Sequence, residues 1–201
     1  MADGVHTDMG GAAAALDCDA ELMLRVKQGD SASFAALLQK HRAPVFRFLY
    51  RMVQDRAVAE ELAQEVFLRV FRSRSSYEPA AKFTTWLFRI ATHLALNSLR
   101  DGKNQRGQES LDRAASGLPV RHVADNRPSA EQAMLREARL DEVRRAVAGL
   151  PDKQRAAVLM HKYEEMGYSQ IAKALGCSES AVKSLLFRAY ETLRARLAHM
   201  A

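Results

Sequence analysis

Glu179, Ser180, Lys183, Ser184, Phe187 and Arg188 lie close together near the carboxyl end of the chain. They follow a Gly176-Cys177-Ser178 turn and fall off the apolar stripe made by Val182, Leu186, Ala189, Leu193 and Leu197. Such a mixture of cations, hydroxyls, a carboxylate and an aromatic ring suits phosphates and base edges rather than bond-making chemistry. A second set, Arg89, His93, Asn97 and Arg100, recurs every three or four residues. Cations and amides on one helical stripe, beside a loop carrying Tyr77, suit a single nucleic-acid strand, whose phosphates meet charge and whose bases stack. Conventional catalytic patterns are missing. The six His are scattered, and HKYEE at 161–165 lacks the HExxH spacing of a zinc site. No Gly-rich phosphate loop follows a strand, and no metal or cofactor is expected.

The elements that carry these residues are helical. Ser169 to Leu175 places Ile171, Ala172 and Leu175 on one face, with Ser169 expected to cap this short helix. Gly176 can end it in the left-handed conformation, and Ser178 can cap the helix that begins at Glu179. Two short helices about a Gly-containing turn form a helix-turn-helix, whose second helix enters the DNA major groove. Upstream, Asp19 is the expected cap of a first helix ending at Gly29-Asp30. A second helix starts near Ser31, and Pro44 should kink or break it near Ala43. The third, about 57–74, has Leu62, Val66, Phe67, Val70 and Phe71 as its core face, leaving Glu61, Gln64, Glu65, Leu68, Arg69 and Arg72 around the other side. The fourth, 83–100, packs Phe83, Trp86, Leu87, Ile90, Ala91 and Leu94 inward.

Residues 102–128 lose the apolar period and read as a flexible linker, and 1–18 as a disordered tail. A further helix starts at Pro128-Ser129, with Ser129 and Gln132 in capping-box spacing. It runs to Gly149, and Pro151 opens the next at its first position. The fold class is therefore all-α: two small helical domains, 19–101 and 129–201, joined by a linker. The formal charge of +6 and pI near 9.5 agree with a polyanionic partner. Both domains share the excess, with 13 Lys and Arg against 9 Asp and Glu in 19–101 and 12 against 9 in 129–201. Two distant cysteines, Cys18 and Cys177, and the lack of a long apolar run predict a reduced cytoplasmic protein without membrane insertion.

Three stretches in this order, AEELAQEVFLRVFR (59–72), FTTWLFRIATHLALNSLRD (83–101) and LPDKQRAAVL (150–159) continuing into YSQIAKALGCSESAVKSLLFRAYETLR (168–194), resemble bacterial sigma factors of the extracytoplasmic-function (ECF) type. The resemblance spans roughly Asp19 to Leu197. It implies that Glu61, Gln64, Glu65, Leu68, Arg69 and Arg72 grip the clamp of RNA polymerase core. It also implies that Tyr77, Lys82, Arg89, His93, Asn97 and Arg100 take the −10 promoter element as single strand, Tyr77 holding an extruded base. Glu179, Ser180, Lys183, Ser184, Phe187 and Arg188 would then read the −35 element as duplex. An anti-sigma factor is a further implied partner. His93 stands where many members carry Asn, and Leu185 and Tyr190 stand where relatives often have Arg, so this helix-turn-helix should release fewer counterions on binding. The rival reading of the residues is a helix-turn-helix regulator that binds duplex DNA without polymerase.

Overall fold

The computed structural model describes residues 17–108 and 130–200, and among these every regular element is helical. The amino-terminal half holds α1 (Cys18–Lys27), α2 (Ser31–Val53), α3 (Arg56–Arg72), a single 3-10 turn (Arg74–Ser76) and α4 (Phe83–Gln108). The carboxyl-terminal half holds α5 (Ala130–Ala148), α6 (Asp152–Tyr163), α7 (Tyr168–Leu175) and α8 (Glu179–Arg196), closed by a short 3-10 turn (Ala198–Met200).

The cap of α1 is Asp17, two residues earlier than the expected Asp19. Its Oδ1 accepts from the Ala20 N–H at 2.6 Å, while its Oδ2 accepts from the Phe83 N–H at 3.0 Å, at the start of α4. One carboxylate therefore caps two helices far apart in sequence. Asp19 instead turns inward, where its oxygens meet Lys40 Nζ at 2.6 Å and His41 Nε2 at 3.0 Å. Burial pulls the His41 imidazole below its ordinary range, even though Asp19 acts in the opposite direction.

Pro44 does not break α2. Leu37, His41, Val45, Phe48, Leu49 and Met52 share one buried stripe on both sides of it. Burying those side chains outweighs the roughly 3 kcal/mol that an interior proline costs. At the far end Gln54 adopts the left-handed conformation, with φ of 60°, to close the helix. α4 continues beyond Asp101 to Gln108 despite Gly102 and Gly107, because adding residues to an existing helix costs far less than starting one. The first residues of the expected linker are thus helical, while its remainder, the expected cap Ser129, and the tail up to residue 16 lie outside the described residues.

α7 and α8 form the expected helix-turn-helix, with two changes of cap. Gly167, not Ser169, precedes α7, and its N–H donates to Gln170 Oε1 at 2.9 Å. Pro151 is the residue before α6 rather than its first. Gly176 ends α7 with φ of 63°, and Ser178 Oγ accepts from the Ala181 N–H at 3.2 Å. The two halves are docked rather than separate. α7 lies against α4 and α6 against α2, so Ala91, Thr92 and Ala95 of α4 are sealed together with Ala156, Met160 and Ile171.

Candidate nucleic-acid and polymerase interface

The outer face of α3 is partly apolar. Glu61, Gln64, Leu68, Arg69 and Arg72 are exposed and Glu65 is half-buried. Leu68 retains 48 % of its accessible surface. Phe71, expected in the core, is 41 % exposed. Its ring rests on Phe34 with centroids 5.1 Å apart, and the Arg74 guanidinium covers it at 4.1 Å. Phe71 sits one turn beyond Phe67 and meets α2 only at Phe34, in its first turn, which a helical period alone cannot reveal. Arg69 and Glu65 form an ion pair at 2.7 Å along the same face. An apolar patch crossed by an internal ion pair fits a protein surface better than a phosphate backbone.

Beyond α3, Arg69, Arg72, Tyr77, Trp86 and Arg89 line an open cleft of about 870 Å³. α4 presents Arg89, His93, Asn97 and Arg100 as an exposed stripe running from this cleft, and Lys82 is exposed at its edge. Tyr77 departs from its expected role. Its ring is only 2 % exposed, set edge-on to Trp86 at 4.9 Å and to Phe83 at 6.4 Å. The hydroxyl is buried without a hydrogen-bond partner, and burial pushes its pKa up to about 12. A ring enclosed in this way forms the floor of the cleft and cannot stack on an extruded base while the loop keeps this conformation. The loop turns it inward because Tyr77 is the apolar residue after the 3-10 turn, and its carbonyl accepts from Lys27 Nζ at 3.1 Å. Sequence patterning marks the aromatic but not the direction in which it points.

In α8 all six expected residues are exposed: Glu179, Ser180, Lys183, Ser184, Phe187 and Arg188. Val182, Leu186 and Ala189 are buried beneath them. Phe187 retains 68 % of its surface, although most large aromatics avoid such exposure. Ser184 Oγ donates to the Ser180 carbonyl at 3.0 Å, and Arg188 Nε donates to the Ser184 carbonyl at 3.2 Å. Lys183 Nζ lies 6.0 Å from the ring of Tyr168, itself an exposed aromatic. Leu185 and Tyr190 are half-buried and pack against the core, so they lie off this outer face. Lys173 of α7, not anticipated from the sequence, lines the same cleft as Trp86 and Arg89. A second cleft, of about 580 Å³, brings Lys82 and Thr85 together with Gln170, Lys173 and Glu179.

Among the described residues no group of three His, Cys, Asp or Glu is placed to hold a metal. No described helix is long and apolar enough to cross a membrane.

An all-helical pair of halves with a helix-turn-helix in the second is an architecture of helical DNA-binding proteins. Residues 37–105 match the Sigma-70 region 2 family and residues 140–193 match Sigma-70 region 4. The chain is 30 % identical to RNA polymerase sigma-H factor of Pseudomonas aeruginosa, over 87 % of this chain and 91 % of the relative. It is 29 % identical to ECF RNA polymerase sigma factor SigW of Bacillus subtilis, over 86 % and 93 %, and 34 % identical to RNA polymerase sigma factor CarQ of Myxococcus xanthus, over 89 % and 97 %. The chain belongs to the sigma-70 family and is an ECF sigma factor. Two solved structures share its fold. CnrH in complex with the cytosolic domain of CnrY superposes with a TM-score of 0.67 at 19 % identity, covering 92 % of this chain and 100 % of CnrH. RpoE from Bartonella quintana, in complex with the anti-sigma factor NepR, gives 0.65 at 19 %, covering 82 % and 96 %.

Proposed function

We propose that this sigma factor binds RNA polymerase core through the outer face of α3, reads a −35 element as duplex through α8, and holds a −10 element as single strand along α4. The observation that carries this reading is that three exposed helix faces carry three different chemistries. The α3 face offers Leu68 and Phe71 beside the Glu65–Arg69 ion pair, a mixture that suits a protein partner. The α8 face offers Lys183, Ser184 and Arg188 at the start of a recognition helix, where base edges and phosphates are met. The α4 stripe offers Arg89, His93, Asn97 and Arg100 beside a cleft with an aromatic wall, as a splayed strand requires. Tyr77 serves that cleft as a fixed floor under Trp86, and Lys82 and Arg100 serve phosphates. Extracting a base from the stack costs a few kcal/mol, which a preformed cleft recovers. The solved relatives CnrH and RpoE are seen with CnrY and NepR. By analogy an anti-sigma factor that covers the promoter and core surfaces is a partner of this chain too.

Run-off transcription on a genomic promoter library, with polymerase core in the presence and absence of the protein, tests the proposal. Specific transcripts only when the protein is added, with start sites that share two upstream elements, are expected. Absence of core binding together with tight, specific duplex binding would replace the proposal with a polymerase-independent regulator.

A further inference from the structure

Three cations from three helices meet in the cleft of about 870 Å³: Arg72 of α3, Arg89 of α4 and Lys173 of α7. All three are exposed, and among the described residues none of them forms an ion pair. Arg69, which also lines the cleft, is already held by Glu65 at 2.7 Å. Glu78 is the one carboxylate of the lining. Cations gathered about one cavity repel one another, and an anion placed among them relieves that repulsion.

Lys173 is fixed toward this cleft by its own helix. Gln170, one turn earlier, donates from Nε2 to Thr85 Oγ1 at 3.4 Å, and Ile171, Ala172 and Ala174 are buried. Across the same pair of halves, Arg155 Nη1 donates to the Met52 carbonyl in the last turn of α2. Lys173 therefore lies off the α4 stripe that leads away through His93 and Asn97, and the strand path proposed above gives it no role.

The rest of the lining selects the class of anion. Trp86 is half-buried, backed edge-on by Tyr77 at 4.9 Å, and forms an apolar wall with Ile90, Ala80 and Ala81. An indole face of this kind takes a base by stacking. Glu78 offers an acceptor for ribose hydroxyls or an exocyclic amine. The volume lies within the roughly 300–1,000 Å³ of small-molecule sites. A phosphodiester carries a single charge, whereas a terminal phosphate carries nearly two at neutral pH, and guanidinium forks bind it with paired hydrogen bonds. Three unpaired cations thus match a chain of phosphates better than one strand linkage. We propose that this cleft binds a free nucleoside polyphosphate, its base on Trp86 and its phosphates among Arg72, Arg89 and Lys173. A nucleotide seated there excludes a promoter single strand from the same aromatic wall. That regulatory consequence, though not the binding itself, rests on the promoter-reading function proposed above.

Trp86 is the only tryptophan of the chain, so its emission reports on this wall alone. The full chain would be titrated with adenosine or guanosine 5′-triphosphate, and separately with inorganic triphosphate and the free nucleosides. Trp86 emission and isothermal titration calorimetry follow the binding. One of the nucleotides is expected to quench the emission saturably, with an affinity about tenfold or more above that of inorganic triphosphate, as one base stack supplies. Lys173→Ala and Arg89→Ala should each weaken binding by about tenfold, the loss of one charge-assisted hydrogen bond. Lys173→Arg should restore it, and Lys153→Ala, an exposed cation outside the cleft, should leave it unchanged, all with parental helical circular dichroism. No saturable change with either nucleotide overturns the site. So does an affinity no greater than that of inorganic triphosphate, or one unmoved by both alanine variants. A single strand carrying the −10 element of a promoter recovered by run-off transcription should displace radiolabelled nucleotide. Bound nucleotide that resists the strand would instead sink the −10 path through this cleft and leave the nucleotide site standing.

Discussion

Replacing Asp17 by Ala removes two helix caps at once. Loss of a capping carboxylate typically costs about 1 kcal/mol. Asp17 serves the Ala20 amide with one oxygen and the Phe83 amide with the other, so Asp17→Ala should cost about 2 kcal/mol, while Asp17→Asn, which keeps one acceptor oxygen, should cost about half that. For a chain of this size the larger loss lowers the melting temperature by about 4–8 °C. Urea unfolding followed by circular dichroism would measure it as a lower midpoint with an unchanged slope. Native-state hydrogen exchange provides the sharper assay. Protection should fall at the amides of both Ala20 and Phe83, which belong to α1 and α4, and fall together. An Asp17→Ala variant within about 0.5 kcal/mol of the parent, or one in which only the Ala20 amide loosens, would refute the shared cap.

Other outcomes follow from the same geometry. Tyr77→Phe removes a buried hydroxyl without a partner, so stability should hold or rise by up to about 1 kcal/mol, and run-off transcription should stay at the parent level; a loss of transcription would assign the hydroxyl a contact with DNA. His41 is held neutral, its pKa lowered by burial, so its unfolded form takes up a proton more readily than its folded form. Its contribution is present above the ordinary imidazole pKa of about 6.5 and is lost as pH falls below that value through the folded pKa. Unfolding midpoints measured between neutral and acid pH should show this loss, and His41→Gln should flatten it. Lys183→Ala and Arg188→Ala should each weaken promoter binding across sequences and reduce the slope of log affinity against log salt by about one. An unchanged slope would place these side chains away from phosphate.

The helix-turn-helix was legible because its signals are local. The apolar spacing, Gly176 and Ser178 act within a few residues, and the structure reproduces each of them. The α4 stripe was legible for the same reason: burial of Phe83, Leu87, Ala91 and Leu94 leaves Arg89, His93 and Asn97 outside. What escaped was non-local. Asp17 outcompetes Asp19 as a cap because α4 offers it a second amide and because Lys40 and His41 draw Asp19 inward. Pro44 is tolerated because the stripe on both sides of it is buried by other helices. Phe71 and Tyr77 exchanged their expected places, the first outward and the second inward, since chain position does not say where a neighbouring helix ends. The docking of the halves rests on a backbone carbonyl, Met52, which carries no signature in a sequence.

The doubly bonded Asp17 also fixes where the described chain begins on the molecule. A fluorescent protein or affinity tag joined directly to Asp17 would emerge beside Phe83, next to the Lys82 edge of the second cleft. The other end is tied elsewhere, where His199 pairs with Glu142 of α5 and Arg196 donates to the Ala146 carbonyl at 3.1 Å. Reporters fused at the two ends are therefore unequal probes: an upstream dye would be quenched or displaced by whatever enters the cleft, whereas a downstream one would register only changes around α5 and α8.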